Sequence, residues 1–171
     1  MTFWGIIPLT AKRLSHKKDF LLCENAQNNF NFFEHQLLEN NIQVEINCDN
    51  KIIFHGREED FFIIYTNLIE NSIYWLKTIN KSEKRIILNI SQNIEQITID
   101  YKDNGPGIND KFVNDIFDAG FSTKPEGGTG IGLTLVGQAI SRNDGNMECI
   151  KKDDGVHFRI ILKLGKKDER N

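Results

Sequence analysis

Two hydrophobic periods alternate along the chain and divide it into elements. Leu22, Ala26, Phe30, Phe33, Leu37 and Leu38 recur at three- and four-residue spacings, which predicts a helix over residues 19–40, ended by Asn40 and Asn41. Ile42, Val44 and Ile46 alternate with polar residues as a strand, Asp49 and Asn50 turn the chain, and residues 52–54 read as a second short strand. A second helix is expected from near Arg57 to Thr78, with Glu58, Glu59 and Asp60 in the first turn, where carboxylates suit the helix dipole. Ile86, Leu88 and Ile90, then Ile97, Ile99 and Tyr101, alternate strictly around a turn at residues 93–95, a hairpin. Residues 130–142 read as a third helix burying Ile131, Leu135, Val136, Ala139 and Ile140, closed by Asp144 and Gly145. Residues 146–150 and 156–164 form a last hairpin around Asp153, Asp154 and Gly155. This order predicts an α+β two-layer sandwich, a mixed sheet covered on one face by about three helices.

The long polar stretch before the third helix does not fit an ordinary connection. It begins where the strand through Tyr101 meets Asp103, Gly105, Pro106 and Gly107, a turn-forming run. It ends at Gly128, Thr129, Gly130, Ile131, Gly132 and Leu133, which open the helix. Glycines at a helix start let backbone N–H groups approach an anion, and the dipole favours negative charge there. The chain thus offers a carboxylate at a strand end, a phosphate-type cradle at a helix start, and between them residues 109–127 as a lid. No Gly-x-x-x-x-Gly-Lys-Ser/Thr occurs, and the cradle reads Gly-x-Gly-x-Gly without a strand just before it, so neither the P-loop nor the dinucleotide fingerprint applies.

A third motif, Asn67 to Ser72 (NLIENS), lies upstream on the second helix, with Asn67 and Asn71 sharing a face. The ordered set resembles the GHKL superfamily, the ATP-binding domain of gyrase, the ninety-kilodalton heat-shock chaperone, sensor histidine kinases and MutL. Asn67 and Asn71 resemble its N box, Asp103 to Gly107 its first glycine box, Phe117 to Phe121 its F box, and Gly128 to Gly132 its second glycine box. The resemblance spans residues 20–165 and is strongest to the catalytic domain of histidine kinases, which implies the Bergerat-type ATP-binding fold. Residues 1–19 then read as a linker or remnant of an upstream region, and residues 166–171 as a charged tail.

Composition adds limits. With 171 residues, 39% apolar and 26% charged, the chain suits one globular domain. A net charge of −3 gives no reason to expect nucleic acid or anionic lipid as partner. Cys23, Cys48 and Cys149 are far apart in sequence and lack metal-ligand spacing, which argues against a disulfide framework and for a cytoplasmic setting. The apolar run at residues 3–9 is too short to span a bilayer; the expected setting is the cytoplasm, alone or as the cytosolic part of a larger, membrane-anchored sensor.

The resemblance implies roles residue by residue. Asn71 would give its amide oxygen to Mg²⁺, an ion that takes few protein ligands beside phosphate and water. Asn67 would touch phosphate or metal-bound water one turn earlier. Asp103 would accept a hydrogen bond from the adenine amine, Gly107 would let the base approach, Ile108 or Ile73 would pack on its plane, and Gly105 would belong to the same nucleotide-binding turn. Thr123 and Lys124 on the lid, and Thr129, Ile131 and Leu133 with the glycines at 128, 130 and 132, would contact the rest of ATP, Lys124 reaching the terminal phosphate. Phe117 and Phe121 would anchor the lid. Taken singly, each has a plainer explanation: Asp103 as a turn aspartate, the asparagines as a solvated helix face, Lys124 as a loop lysine.

Hydrolytic members of the superfamily carry a glutamate at the position of Asn67 to activate water. An amide is no general base at neutral pH, so transfer to an external acceptor is favoured over hydrolysis. Glu70 is a second candidate for a catalytic helper, although it lies about 300° round the helix from Asn67. The histidines offer no phospho-acceptor: His16, His35, His55 and His157 are followed by Lys, Gln, Gly and Phe, not by an acid. The expected partners are therefore a histidine-bearing dimerisation domain and a response regulator, in two-component signalling. The alternatives are an anti-sigma-type serine kinase and an ATP-gated dimerisation module without kinase activity, the latter opposed by Asn67.

Overall fold

The computed structural model describes residues 16–125, 127–150 and 154–164. Most of the expected linker, the tail and part of the last turn lie outside the described residues. Strand β1 (Lys18–Leu21) leads into α1 (Leu22–Phe32) and α2 (Glu34–Glu39), then β2 (Ile42–Cys48), β3 (Ile53–Gly56) and α3 (Glu58–Lys77). The hairpin β4 (Lys84–Gln92) and β5 (Gln96–Asp103) follows, then α4 (Gly132–Arg142), β6 (Gly145–Cys149) and β7 (His157–Lys163). The main sheet has the order β2-β4-β5-β7-β6, with β2 parallel to β4 and the other pairs antiparallel. It is the mixed sheet of a two-layer α+β sandwich, with the helices on one face.

Period-two alternation decides which face that is. Ile86, Leu88 and Ile90 of β4, Ile97, Ile99 and Tyr101 of β5, and Ile160 and Leu162 of β7 are buried beneath the helices. α3 lies over them with Ile64, Leu68, Ile69 and Leu76 fully buried. The opposite face is polar. There Asp100 accepts from Arg159 Nε at 2.9 Å and is 2.5 Å from His157 Nε2.

Burial pushes the Asp100 pKa up, but hydrogen bonds and charge from Arg159 and His157 outweigh it and hold the group below the ordinary carboxylate value. A depressed carboxylate stabilises the fold above its unfolded-state pKa, and that stability is lost as pH falls through the folded value. Asp100→Asn is therefore expected to lower the melting temperature at neutral pH and to flatten its decline on acidification below about pH 4. Melting temperatures across pH, read by circular dichroism, check this.

Several expectations need correction. The single helix over residues 19–40 is a strand and two helices, because β1 pairs with β3 in a separate two-stranded sheet and Phe33 breaks the helix. That pairing stacks Phe20 edge-on against Phe54 and Phe61, burial that helical propensity does not see. The expected third helix begins at Gly132, leaving Ile131 48% and Leu135 40% exposed rather than buried. It ends with Asp144, not Gly145, in the left-handed region at φ 57°. The start of α3 has no cap from its own Arg57 side chain; Asn143 Oδ1 accepts from Arg57 N at 2.7 Å instead. Asp60, 5% exposed, binds Arg142 Nε at 3.1 Å and Asn143 Nδ2 at 3.0 Å, tying the start of α3 to the end of α4. The cysteines are free; Cys23 is buried and the other two half-buried, and Cys48 is pushed up to about 12 by burial and by Cys23 beside it, which disfavours its thiolate.

Candidate functional site

β5 runs two residues beyond the expected strand, and this places Asp103. Because Ile97, Ile99 and Tyr101 face inward, Asp103 does too, and it is 5% exposed under α3. Its Oδ1 accepts from Gly105 N at 2.9 Å and Val156 N at 3.2 Å; its Oδ2 accepts from Ser72 Oγ at 2.6 Å. Ser72 in turn accepts from Tyr101 Oη at 2.9 Å, so the chain of hydrogen bonds runs one way, from tyrosine to serine to carboxylate. Three donors orient the carboxylate, and it lines a cavity of about 520 Å³.

The cavity is bounded by α3, the loop after β5, the lid and the start of α4. Of the sequence candidates, Asn67, Glu70, Asn71, Asp103, Gly107, Ile108, Thr123, Lys124, Gly128, Thr129, Gly130, Gly132 and Leu133 line it together. Gly105 lies behind Asp103, and Ile131 faces outward. Ile73 belongs to the core and is not on the wall, whereas Ile108 is one of the apolar residues on it. Residue positions on α3 explain the split: Ile69, Ser72, Ile73 and Leu76 are buried, while Asn67, Glu70 and Asn71 are not.

Between α3 and α4, Asn67 donates its amide to Ile63 O at 2.8 Å and points Oδ1 at Gly132, where a Cβ would come within 2.8 Å of it. Glycine at this position lets the start of α4 close on α3. The N-cap residue of α4, Ile131, has no acceptor in its side chain, so among the described residues the first-turn N–H groups have no side-chain cap. Lys124 Nζ donates to Asn71 Oδ1 at 2.8 Å and lies 4.6 Å from the Tyr74 ring centre. Burial pulls the Lys124 pKa down, with Glu70 opposing. The lid is docked: Phe117 packs against Phe158 at 6.3 Å and Gly120 N donates to Gly130 O at 2.9 Å, while Phe121 packs on Phe112 within the lid itself at 5.4 Å.

Sequence reasoning missed Ser72, Tyr101, Trp75 and Gly155. For Ser72 a signal existed, a hydroxyl inside the apolar stripe Leu68, Ile69, Ile73, Leu76. Gly155 sits at φ +80°, and a Cβ there would stand 1.9 Å from Asp103 O. It lets the β7 side of the wall close against Asp103, which no local pattern announces. Gly155→Ala is expected to destabilise the fold by at least about 1–3 kcal/mol from backbone strain, with the overlap on Asp103 O adding to it, read by denaturant unfolding.

The fold and this glycine-lined cavity define an ATPase-type α+β sandwich. The chain belongs to the family of histidine kinase-, DNA gyrase B- and HSP90-like ATPases, whose profile matches residues 56–166. It is similar to a probable C4-dicarboxylate sensor kinase of Bacillus subtilis (strain 168), 36% identical over 111 residues, 64% of this chain and 21% of that protein. A protein of the same description from Halalkalibacterium halodurans is 33% identical over 125 residues, 71% of this chain and 24% of the relative. The chain thus spans about a quarter of these relatives' length or less. Among solved structures, the nucleotide-free catalytic domain of histidine kinase ThkA superposes with a TM-score of 0.76 at 19% identity, covering 86% of this chain and 95% of that one. The mycobacterial sensor histidine kinase MprB superposes at 0.73, 18% identical, over 86% of this chain and 97% of that one. The fold is that of histidine-kinase catalytic domains.

Proposed function

We propose that this chain is the Mg-ATP-binding catalytic domain of a sensor histidine kinase, working in the cytoplasm and transferring the γ-phosphate to a histidine on a separate or upstream dimerisation domain. The observation that carries the reading is one cavity whose wall holds the buried, triply held Asp103 carboxylate together with Asn71, Lys124 and the start of α4. Asp103 has lone pairs left for an exocyclic amine, and Ile108 offers an apolar face to its ring. The α4 N–H groups and Lys124 suit phosphate.

Asn71 Oδ1 already accepts a cation, the Lys124 ammonium, so the residues fit a metal. A single amide oxygen would hold Mg²⁺ only together with phosphate oxygens and water, so the ion would arrive with the nucleotide. When bound, Mg²⁺ would neutralise charge on the transferring phosphate. The chain's own part is to orient the nucleotide and to offer no base at Asn67. The kinase names of the relatives favour this reading over a serine kinase or a dimerisation module, and a response regulator is the expected downstream partner.

The test mixes the purified chain and labelled ATP with a histidine-bearing dimerisation domain from its parent or operon neighbour. The expected result is acid-labile label on that domain, little phosphate release by the chain alone, and no label on the chain's own histidines. Acid-stable label on serine, or brisk release without transfer, would overturn it.

A further inference from the structure

The contact between lid and helix at Lys124 has a second half. Tyr74 lies one turn beyond Asn71 on α3, does not line the cavity, and is braced edge-on by Trp75 at 5.0 Å between ring centres. The Lys124 ammonium is thus held between an amide oxygen at 2.8 Å and an aromatic face at 4.6 Å. At the same residue the lid makes a local turn, where Lys124 N donates to Ser122 Oγ at 3.2 Å.

Two cations repel each other when they share one amide oxygen, and the repulsion is largest away from bulk water. If Asn71 Oδ1 ligates Mg²⁺, the ammonium has to leave it. We propose that Asn71 and Tyr74 form a parking site for the Lys124 cation, with Tyr74 the positioning residue that sets how firmly it is held. Lys124 passes from this site to the terminal phosphate of a nucleoside triphosphate as the metal takes the amide oxygen. The inference rests on the metal reading of Asn71 above. Its consequence is a division of labour. Every Mg-nucleotide has to break the parked contact, but only a triphosphate returns a partner to the lysine. Tyr74 therefore sets an affinity cost common to diphosphate and triphosphate, whereas Lys124 sets the preference between them.

Calorimetry with Mg-ADP and Mg-ATP on the purified chain tests this, together with chymotrypsin cleavage after Phe121 in nucleotide-free protein. Tyr74→Leu removes the ring face and is expected to raise both affinities about two- to five-fold, without changing their ratio. It should also speed the cleavage. Tyr74→Phe keeps the ring and should behave as wild type; a change as large as that of Tyr74→Leu would assign the hold to the hydroxyl and overturn the role of the ring face. Lys124→Met should raise Mg-ADP affinity by a similar factor and lower Mg-ATP affinity. Wild-type affinities and cleavage in Tyr74→Leu would overturn the parking site. Equal changes for ADP and ATP in Lys124→Met would overturn the hand-over. Should Asn71→Ala leave the Mg²⁺ dependence of binding intact, the metal reading falls and the hand-over with it. Cleavage of nucleotide-free Tyr74→Leu still scores the parked contact by itself.

Discussion

Asp103→Asn is expected to weaken ATP binding by about 2–3 kcal/mol, a loss of about 30- to 150-fold. Its Oδ1 is committed to Gly105 N and Val156 N, so an asparagine keeps its oxygen there and places its NH₂ where Oδ2 now meets Ser72. That NH₂ would face the adenine amine, donor against donor. It would also face a serine hydroxyl that already accepts from Tyr101. Ser72 can turn to accept from the new amide only by giving up its donor role, which leaves a buried polar group short of a partner. A stability loss of about 1–3 kcal/mol should therefore accompany the affinity loss. Calorimetry with ATP and GTP separates the two effects, since only the first depends on the base. Equal affinity of the unmutated protein for ATP and GTP would remove the role assigned to Asp103.

Asn71→Ala is expected to make nucleotide binding insensitive to Mg²⁺ and to abolish transfer to an added histidine domain, because it deletes the one amide oxygen proposed for the metal. Asn67→Glu makes the complementary case. A carboxylate there could take a proton from water, and phosphate release should rise where water reaches it. The rise is limited by packing, because Asn67 lies against Gly132 and a longer side chain has to turn into the cavity. Glu70→Gln should leave the slow basal release unchanged. Brisk release by the wild-type chain that Glu70→Gln abolishes, and loss of Asn67 does not, would reassign the base and the branch of the family.

The site was legible early because its chemistry is written in short, ordered motifs. Asn67 and Asn71 are a turn apart on one helix, and the glycines at 128, 130 and 132 open another, so local periodicity alone places them on element faces. Asp103 was legible as a residue but not as a buried one. Two further residues of β5 turn it from a loop aspartate into the inward end of an apolar face. Ser72, Tyr101 and Gly155 complete its surroundings from three separate elements, and their meeting is a matter of sheet order.

By itself the sequence determined most element types, though not strand β1, together with the α+β class and the motif residues, since helical and strand periods, caps and turn residues act over a few neighbours. Only the tertiary structure decided that β2 pairs parallel with β4 while β3 leaves to join β1. It alone decided that α1 breaks at Phe33, that Ile73 serves the core and Ile108 the cavity, and that Lys124 rests on Asn71 and Tyr74. Each of these outcomes depends on burial shared between residues far apart in the chain. Such burial outweighs local propensity, because a buried aromatic or aliphatic side chain contributes more than the few tenths of a kcal/mol that separate one backbone preference from another.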